Sequence, residues 1–204
     1  MSRPDAPKWK AAMRAELQSM EKMKVWTLTD LPKGRKEVRN KWVFALKKDR
    51  EGNVIKHKAR LVAKEFTQRE GIDYKETFSP VVRYESLGLL LAVAAHFCLS
   101  LTQFDVSTAF LNGKLEEEIF MSQPEGFSDG SKRVCRLHKG LYGLKQSGRK
   151  WNEHVAHTLR EAGMTQLKSD PCVFFEKDFP LFTRNTGHEY HLLKREGICF
   201  GSIC

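Results

Sequence analysis

Long apolar runs, low-complexity tracts, internal repeats and an even, closely spaced set of cysteines are all missing from this sequence of 204 residues. No stretch approaches the roughly 18 consecutive apolar residues that cross a bilayer, and Met1-Ser2-Arg3-Pro4-Asp5 leads into no apolar segment. A membrane partner is therefore not expected, and the expected compartment is intracellular. The five cysteines, Cys98, Cys135, Cys172, Cys199 and Cys204, are odd in number and mostly far apart. That excludes the paired framework of a small secreted domain and predicts reduced thiols.

Apolar material is present in quantity: 41% of the residues are hydrophobic and 10% aromatic, enough at this length for one or two compact units. Charge is unevenly spread. The net charge is +10, and residues 1–75 hold 20 Lys or Arg against 10 Asp or Glu, whereas residues 76–204 hold 15 against 15. A one-sided basic region suits a polyanion, because each phosphate it neutralises releases condensed counterions. A solvated surface that serves only solubility is the plainer alternative.

Periodicity predicts the elements. Trp9, Met13, Leu17 and Met20 are spaced as one buried stripe of a helix over 7–24, with Asp5 as its start signal. Residues 41–47 are rich in strand formers, 49–53 read as a hairpin loop, and Val54 to Phe66 as the returning strand. On that strand Lys56, Lys58, Arg60, Val62 and Lys64 share one face and His57, Ala59, Leu61 and Ala63 the other, so one face is a basic ladder. Residues 87–99 fit a buried helix, and 101–106 a short strand carrying Asp105 at its end. A brief helical turn over 107–113, an acidic surface run at Glu116-Glu117-Glu118 and a short strand within 136–144 follow. Trp151, Val155 and Leu159 mark a helix over 146–163, and 171–175 suggest one more strand. Beyond Asp178 no period is sustained.

Five strings carry more than periodicity: Lys41-Trp42-Val43-Phe44, Lys58-Ala59-Arg60-Leu61-Val62-Ala63-Lys64, Thr77-Phe78-Ser79-Pro80-Val81-Val82, Phe104-Asp105-Val106-Ser107-Thr108-Ala109-Phe110-Leu111-Asn112-Gly113 and Leu141-Tyr142-Gly143-Leu144-Lys145-Gln146. In order and spacing, and with Trp26, Trp42 and Trp151, they resemble the copia-type retrotransposon reverse transcriptase family over roughly residues 8 to 178. The resemblance implies an α+β fold, an incomplete right-hand polymerase core over 1–178, with fingers about 25–100 and palm about 101–178. The unpatterned tail 179–204 is expected to be poorly ordered.

The resemblance also implies nucleotidyl transfer, with an RNA or DNA template-primer and dNTPs as partners and Mg²⁺ as the metal, two ions being held by hard carboxylates. Asp105 is then the catalytic carboxylate and metal ligand, the Val106 backbone carbonyl helps hold the metal, and Phe110 excludes a ribose 2′-hydroxyl. Lys58, Arg60 and Lys64 line a triphosphate or template path. Tyr142, Gly143 and Lys145 pack against the nascent base pair, Gly143 permitting close backbone approach. Taken without the family, Asp105 reads as a cap for the turn after it, Phe110 as core, the lysines as a solvated face, and 142–146 as a glycine turn entering a helix. One position departs from the family, which commonly has a proline where this chain reads Ser147-Gly148-Arg149.

The larger departure is the family's tyrosine-x-aspartate-aspartate strand, expected not far beyond Asp170-Pro171-Cys172. The sequence there reads Phe179-Pro180-Leu181-Phe182-Thr183-Arg184, and nowhere do two aspartates stand side by side. With Asp105 as the one identified ligand, the two-ion site is expected to fail, the chain alone is expected not to polymerise, and the palm sheet is expected to expose an edge. Two readings from other classes stand beside this one. The first is a non-catalytic nucleic-acid-binding remnant that uses the basic hairpin. The second is a Zn²⁺ site from His188, Glu189, His191, Cys199 and Cys204, whose spacing matches no standard finger. His154 and His157 are given no role.

Overall fold

The computed structural model describes residues 4–176, 181–184 and 189–194, the last two stretches as backbone alone. The helices are α1 (Ala6–Lys22), α2 (Tyr84–His96) and α3 (Ser147–Glu161). The strands are β1 (Trp26–Thr29), β2 (Asn40–Lys48), β3 (Val54–Ala63), β4 (Ser100–Asp105), β5 (Lys114–Met121), β6 (Val134–Lys139), β7 (Thr165–Gln166), β8 (Val173–Phe175), β9 (Leu181–Arg184) and β10 (Glu189–Lys194). This α+β chain forms two compact units, residues 1–77 with 110–151 and residues 78–109 with 152–204.

In the first unit α1 buries Met13 and Met20 on the expected stripe. Asp5 occupies the N-cap position, but its side chain makes no cap bond. Its carboxylate instead accepts the Trp9 indole N–H at 2.8 Å. The ring so held meets Phe44 edge-on at 5.1 Å and His57 at 4.6 Å, which docks α1 on the β2–β3 hairpin. The hairpin is antiparallel, with Val43 opposite Arg60 and Phe44 opposite Ala59. Its loop is closed by the Asp49 carboxylate, which accepts the Asn53 N–H at 2.7 Å. Along β3 the period of two is plain: Ala59, Leu61 and Ala63 are buried, while Lys56 is exposed and Lys58 and Arg60 are half-buried.

A three-stranded antiparallel sheet in the order β1-β6-β5 completes this unit. Val25, Val38, Leu61, Met121, Leu137 and Leu141 close its core. The acidic run lies in the outer half of β5, a strand the sequence did not signal, and Ile119, Phe120 and Met121 fill the inner half. β6 stops at Lys139 because the chain turns at Gly140, where a Cβ would lie 2.8 Å from the Phe110 carbonyl oxygen.

The second unit has a five-stranded antiparallel sheet in the order β4-β10-β9-β8-β7. Beyond Asp178, residues 181–184 and 189–194 form β9 and β10, and β10 pairs along the whole of β4, which remains the outer strand of the sheet. A central strand is recruited by the unpaired N–H and C=O groups on either side of it, which explains order without a marked side-chain period. α2 was expected to be buried, yet only Leu90 and Ala94 are, packed with Val82, Cys172 and Val173, while Leu89 and Leu91 are exposed. An apolar helix without a polar side gives no periodic signal of which stripe packs.

Asp170 ties this unit together. Its carboxylate accepts the backbone N–H of Arg83 at 3.0 Å and of Cys172 at 2.9 Å. Burial pushes the carboxyl up, but the Ser86 hydroxyl, the Arg83 and Cys172 amides and the Arg83 charge together hold it below its ordinary value. A carboxyl lowered on folding stabilises the protein above the unfolded value of about 4, and that contribution is lost as pH falls through the lower folded value. Asp170→Asn is expected to lower the unfolding free energy by about 1–3 kcal/mol at neutral pH. The gap between the two proteins in urea denaturation should close on acidification below about pH 4; a gap that persists there would contradict this role.

Candidate nucleic-acid interface

The first unit brings several of the expected site residues into contact. Gly143 has φ +85°, and a Cβ there would lie 2.2 Å from the Ala63 carbonyl oxygen and 2.7 Å from Val62 Cγ1. The backbones meet at that point, and the Ala63 N–H donates to the Tyr142 carbonyl at 2.8 Å. The turn that follows β6 is thereby laid on the end of β3. Tyr142 comes under Arg60, whose guanidinium carbon is 5.1 Å from the ring centroid. Phe110, in a 3₁₀ turn over Ala109–Asn112, meets the Tyr142 ring edge-on, 5.0 Å between centroids. Lys145 Nζ lies 5.2 Å from the Tyr74 ring centroid.

The expected ladder is one residue shorter than the sequence suggested. β3 ends at Ala63, because the Ala63 N–H pairs with Tyr142 and the Lys64 N–H with the Arg39 carbonyl at 2.7 Å. Lys64 opens a 3₁₀ turn over Glu65–Thr67 and does not continue the strand face. Lys41, Lys47, Lys56, Lys58 and Arg60 remain on one face of the hairpin by register. Burial and then repulsion from Arg60 and Lys47 push the Lys58 ammonium below its ordinary value, opposed by Glu16. Glu16 on α1 is itself pushed up by burial against the pull of Arg60 and Lys58. Cations crowded to this degree gain from a bound anion, which relieves their mutual repulsion.

Asp105 and Val106 belong to the second unit, while Lys58, Arg60, Lys64, Phe110, Tyr142, Gly143 and Lys145 belong to the first. Asp105 is exposed at the C-terminal end of β4. Its register partner on β10 is Glu189, a placement the sequence pattern did not suggest. Among the described residues no three His, Cys, Asp or Glu side chains group to hold a metal ion. The residues of the proposed Zn²⁺ set lie outside those whose side chains are described. His157 lies 3.3 Å from Glu161 on the exposed side of α3.

Sequence reasoning passed over the polar support behind the turn. Gln146 is fully buried, donates to the Asp73 carbonyl at 2.7 Å and accepts from the Gln68 amide at 3.0 Å. Gln68 in turn accepts the Lys145 N–H at 2.9 Å. Asp73, 2% exposed, accepts the Arg69 N–H at 2.7 Å and has Arg35 and Arg69 side chains at 4.0 Å. Contacts between residues 73 and 78 positions apart leave no periodic signal, so nothing in the 64–77 loop marked these side chains in advance.

Comparison with known proteins gives the class. The family model for reverse transcriptase (RNA-dependent DNA polymerase) matches residues 23–179. The retrovirus-related Pol polyprotein from transposon TNT 1-94 of Nicotiana tabacum is 45% identical over 179 residues, 87% of this chain and 14% of the relative. That from transposon RE1 of Arabidopsis thaliana is 38% identical over 170 residues, covering 82% of this chain and 12% of the relative. The Ty1-DR4 Gag-Pol polyprotein of Saccharomyces cerevisiae is 32% identical over 209 residues, again 12% of its length. The chain belongs to the reverse transcriptase family of retrotransposon Pol polyproteins, of the copia type. It spans about one seventh or less of the curated relatives it matches.

The Gly143 contact gives a direct prediction. Gly143→Ala places a methyl within overlap of the Ala63 carbonyl at a φ that L-residues avoid, and should destabilise the first unit by at least about 2 kcal/mol. Chemical denaturation measures it, and an unchanged midpoint would show that the turn does not sit on β3.

Proposed function

We propose that this chain is a catalytically incomplete segment of a reverse transcriptase that retains a nucleic-acid-binding face. The hairpin of β2 and β3 acts as fingers and the sheet carrying Asp105 as palm. The observation that carries the binding reading is the cationic face of β3 running into the Arg60–Tyr142–Phe110 contact. Cations take the phosphates, and a guanidinium stacked on an aromatic ring offers a flat partner for a base.

Incompleteness rests on the sequence. Two divalent ions need several carboxylates to offset their charge, and no Asp-Asp pair is present to join Asp105. In a complete polymerase of this family Mg²⁺ would activate the primer hydroxyl and stabilise the leaving pyrophosphate. Here Asp105 has Glu189 as its register partner, and no step of chemistry is assigned to the chain alone.

Both halves of the proposal are measurable. Primer extension on an RNA template with Mg²⁺ should give no product from the purified chain or from Asp105→Asn; product that the substitution abolishes would overturn incompleteness. Binding to single-stranded RNA should weaken steeply with salt, and Lys58→Ala and Arg60→Ala should each lower the slope of log affinity against log salt by about one. An absence of binding at low salt would overturn the retained face.

A further inference from the structure

We infer that Gln68 and Gln146 are positioning residues that orient Tyr142 and Lys145 toward a base, separate from the cations that hold phosphate. The inference rests on the nucleic-acid-binding reading above and adds a division of labour to it.

Two neutral amides in the least accessible part of the first unit are costly unless every polar atom is paired. Here they are: both side-chain oxygens accept and both nitrogens donate, in the chain Lys145 N–H to Gln68, Gln68 to Gln146, Gln146 to the Asp73 carbonyl. Reversing either amide would set like groups against each other, so the chain admits one arrangement.

That arrangement fixes the turn from Leu141 to Ser147 at a third place. The Ser147 hydroxyl bridges the Leu141 N–H at 3.0 Å and its carbonyl at 2.7 Å. The Ala63 N–H holds the Tyr142 carbonyl. Gln68 holds the backbone of Lys145, three residues on, and Gln146 anchors Gln68 to the loop that carries Tyr74, the ring under the Lys145 ammonium. Tyr142 and Lys145 therefore hang from a frame whose remaining corner is the amide pair. Lys56 and Lys58 stand on β3 and draw their position from the hairpin register, not from the amides.

The test separates base contact from phosphate contact. Fluorescence anisotropy compares oligothymidylate with an abasic strand of equal length, for the full chain and for Gln68→Met and Gln146→Met, which keep length but cannot make the amide bonds. The wild-type chain should prefer the strand with bases by about tenfold, within the range for one base stacked on an aromatic ring. Both variants should lose that preference while keeping the abasic affinity and its salt dependence. A merely structural role would lower both affinities together and leave their ratio, which overturns the inference. Should Gln146→Met fail to melt cooperatively, Gln68→Met decides; unfolding of both marks the pair as structural and likewise overturns it. A wild-type chain that binds both strands equally overturns the inference and leaves the phosphate-binding reading standing, whereas binding to neither removes both.

Discussion

The close approach of the Gly143 turn to the end of β3 is the constraint on which the first unit depends. A backbone with no side chain at that point lets the Ala63 N–H reach the Tyr142 carbonyl. From this one contact follow the end of β3 at Ala63 and the place of Tyr142 under Arg60. Leu61, Ala63, Leu141 and Leu144 then share one core, so the basic hairpin and the turn are packed as a single body. A side chain at position 143 would part them and leave the cations without their aromatic neighbour.

Charge and packing are divided between the two faces of β3. Ala59, Leu61 and Ala63 are buried, and the opposite face carries cations whose repulsion is tempered by Glu16 from α1. Such a strand is held by its apolar side and left free to use its charged side. A cationic face of this kind suits the proposed hold on nucleic acid, and the Arg60–Tyr142 contact gives that face an element beyond bulk charge. In the second unit Asp105 stands at the end of β4, and its neighbour across the ladder is Glu189.

Much of this was legible in the sequence where one period ruled. α1 and α3 followed their apolar stripes, and the β2–β3 hairpin followed its alternation, because each buries one face. The candidate residues on β3 and in the Gly143 turn came from matched strings, and the structure brings Arg60, Tyr142 and Phe110 into contact. Three things escaped. α2 is apolar all round, so its sequence could not say that Leu89 and Leu91 face outward. β9 and β10 are ordered by the strands beside them. Gln68, Asp73 and Gln146 act through contacts that only the folded chain creates.

The central claim is that nucleic acid lies along the even-numbered face of β3 and the turn at Gly143. Amide hydrogen exchange with and without a single-stranded oligonucleotide tests it most directly. The account predicts added protection concentrated in residues 56–64 and 139–147, with little change along α2. Protection confined to other segments, or none in the presence of measurable binding, would contradict it.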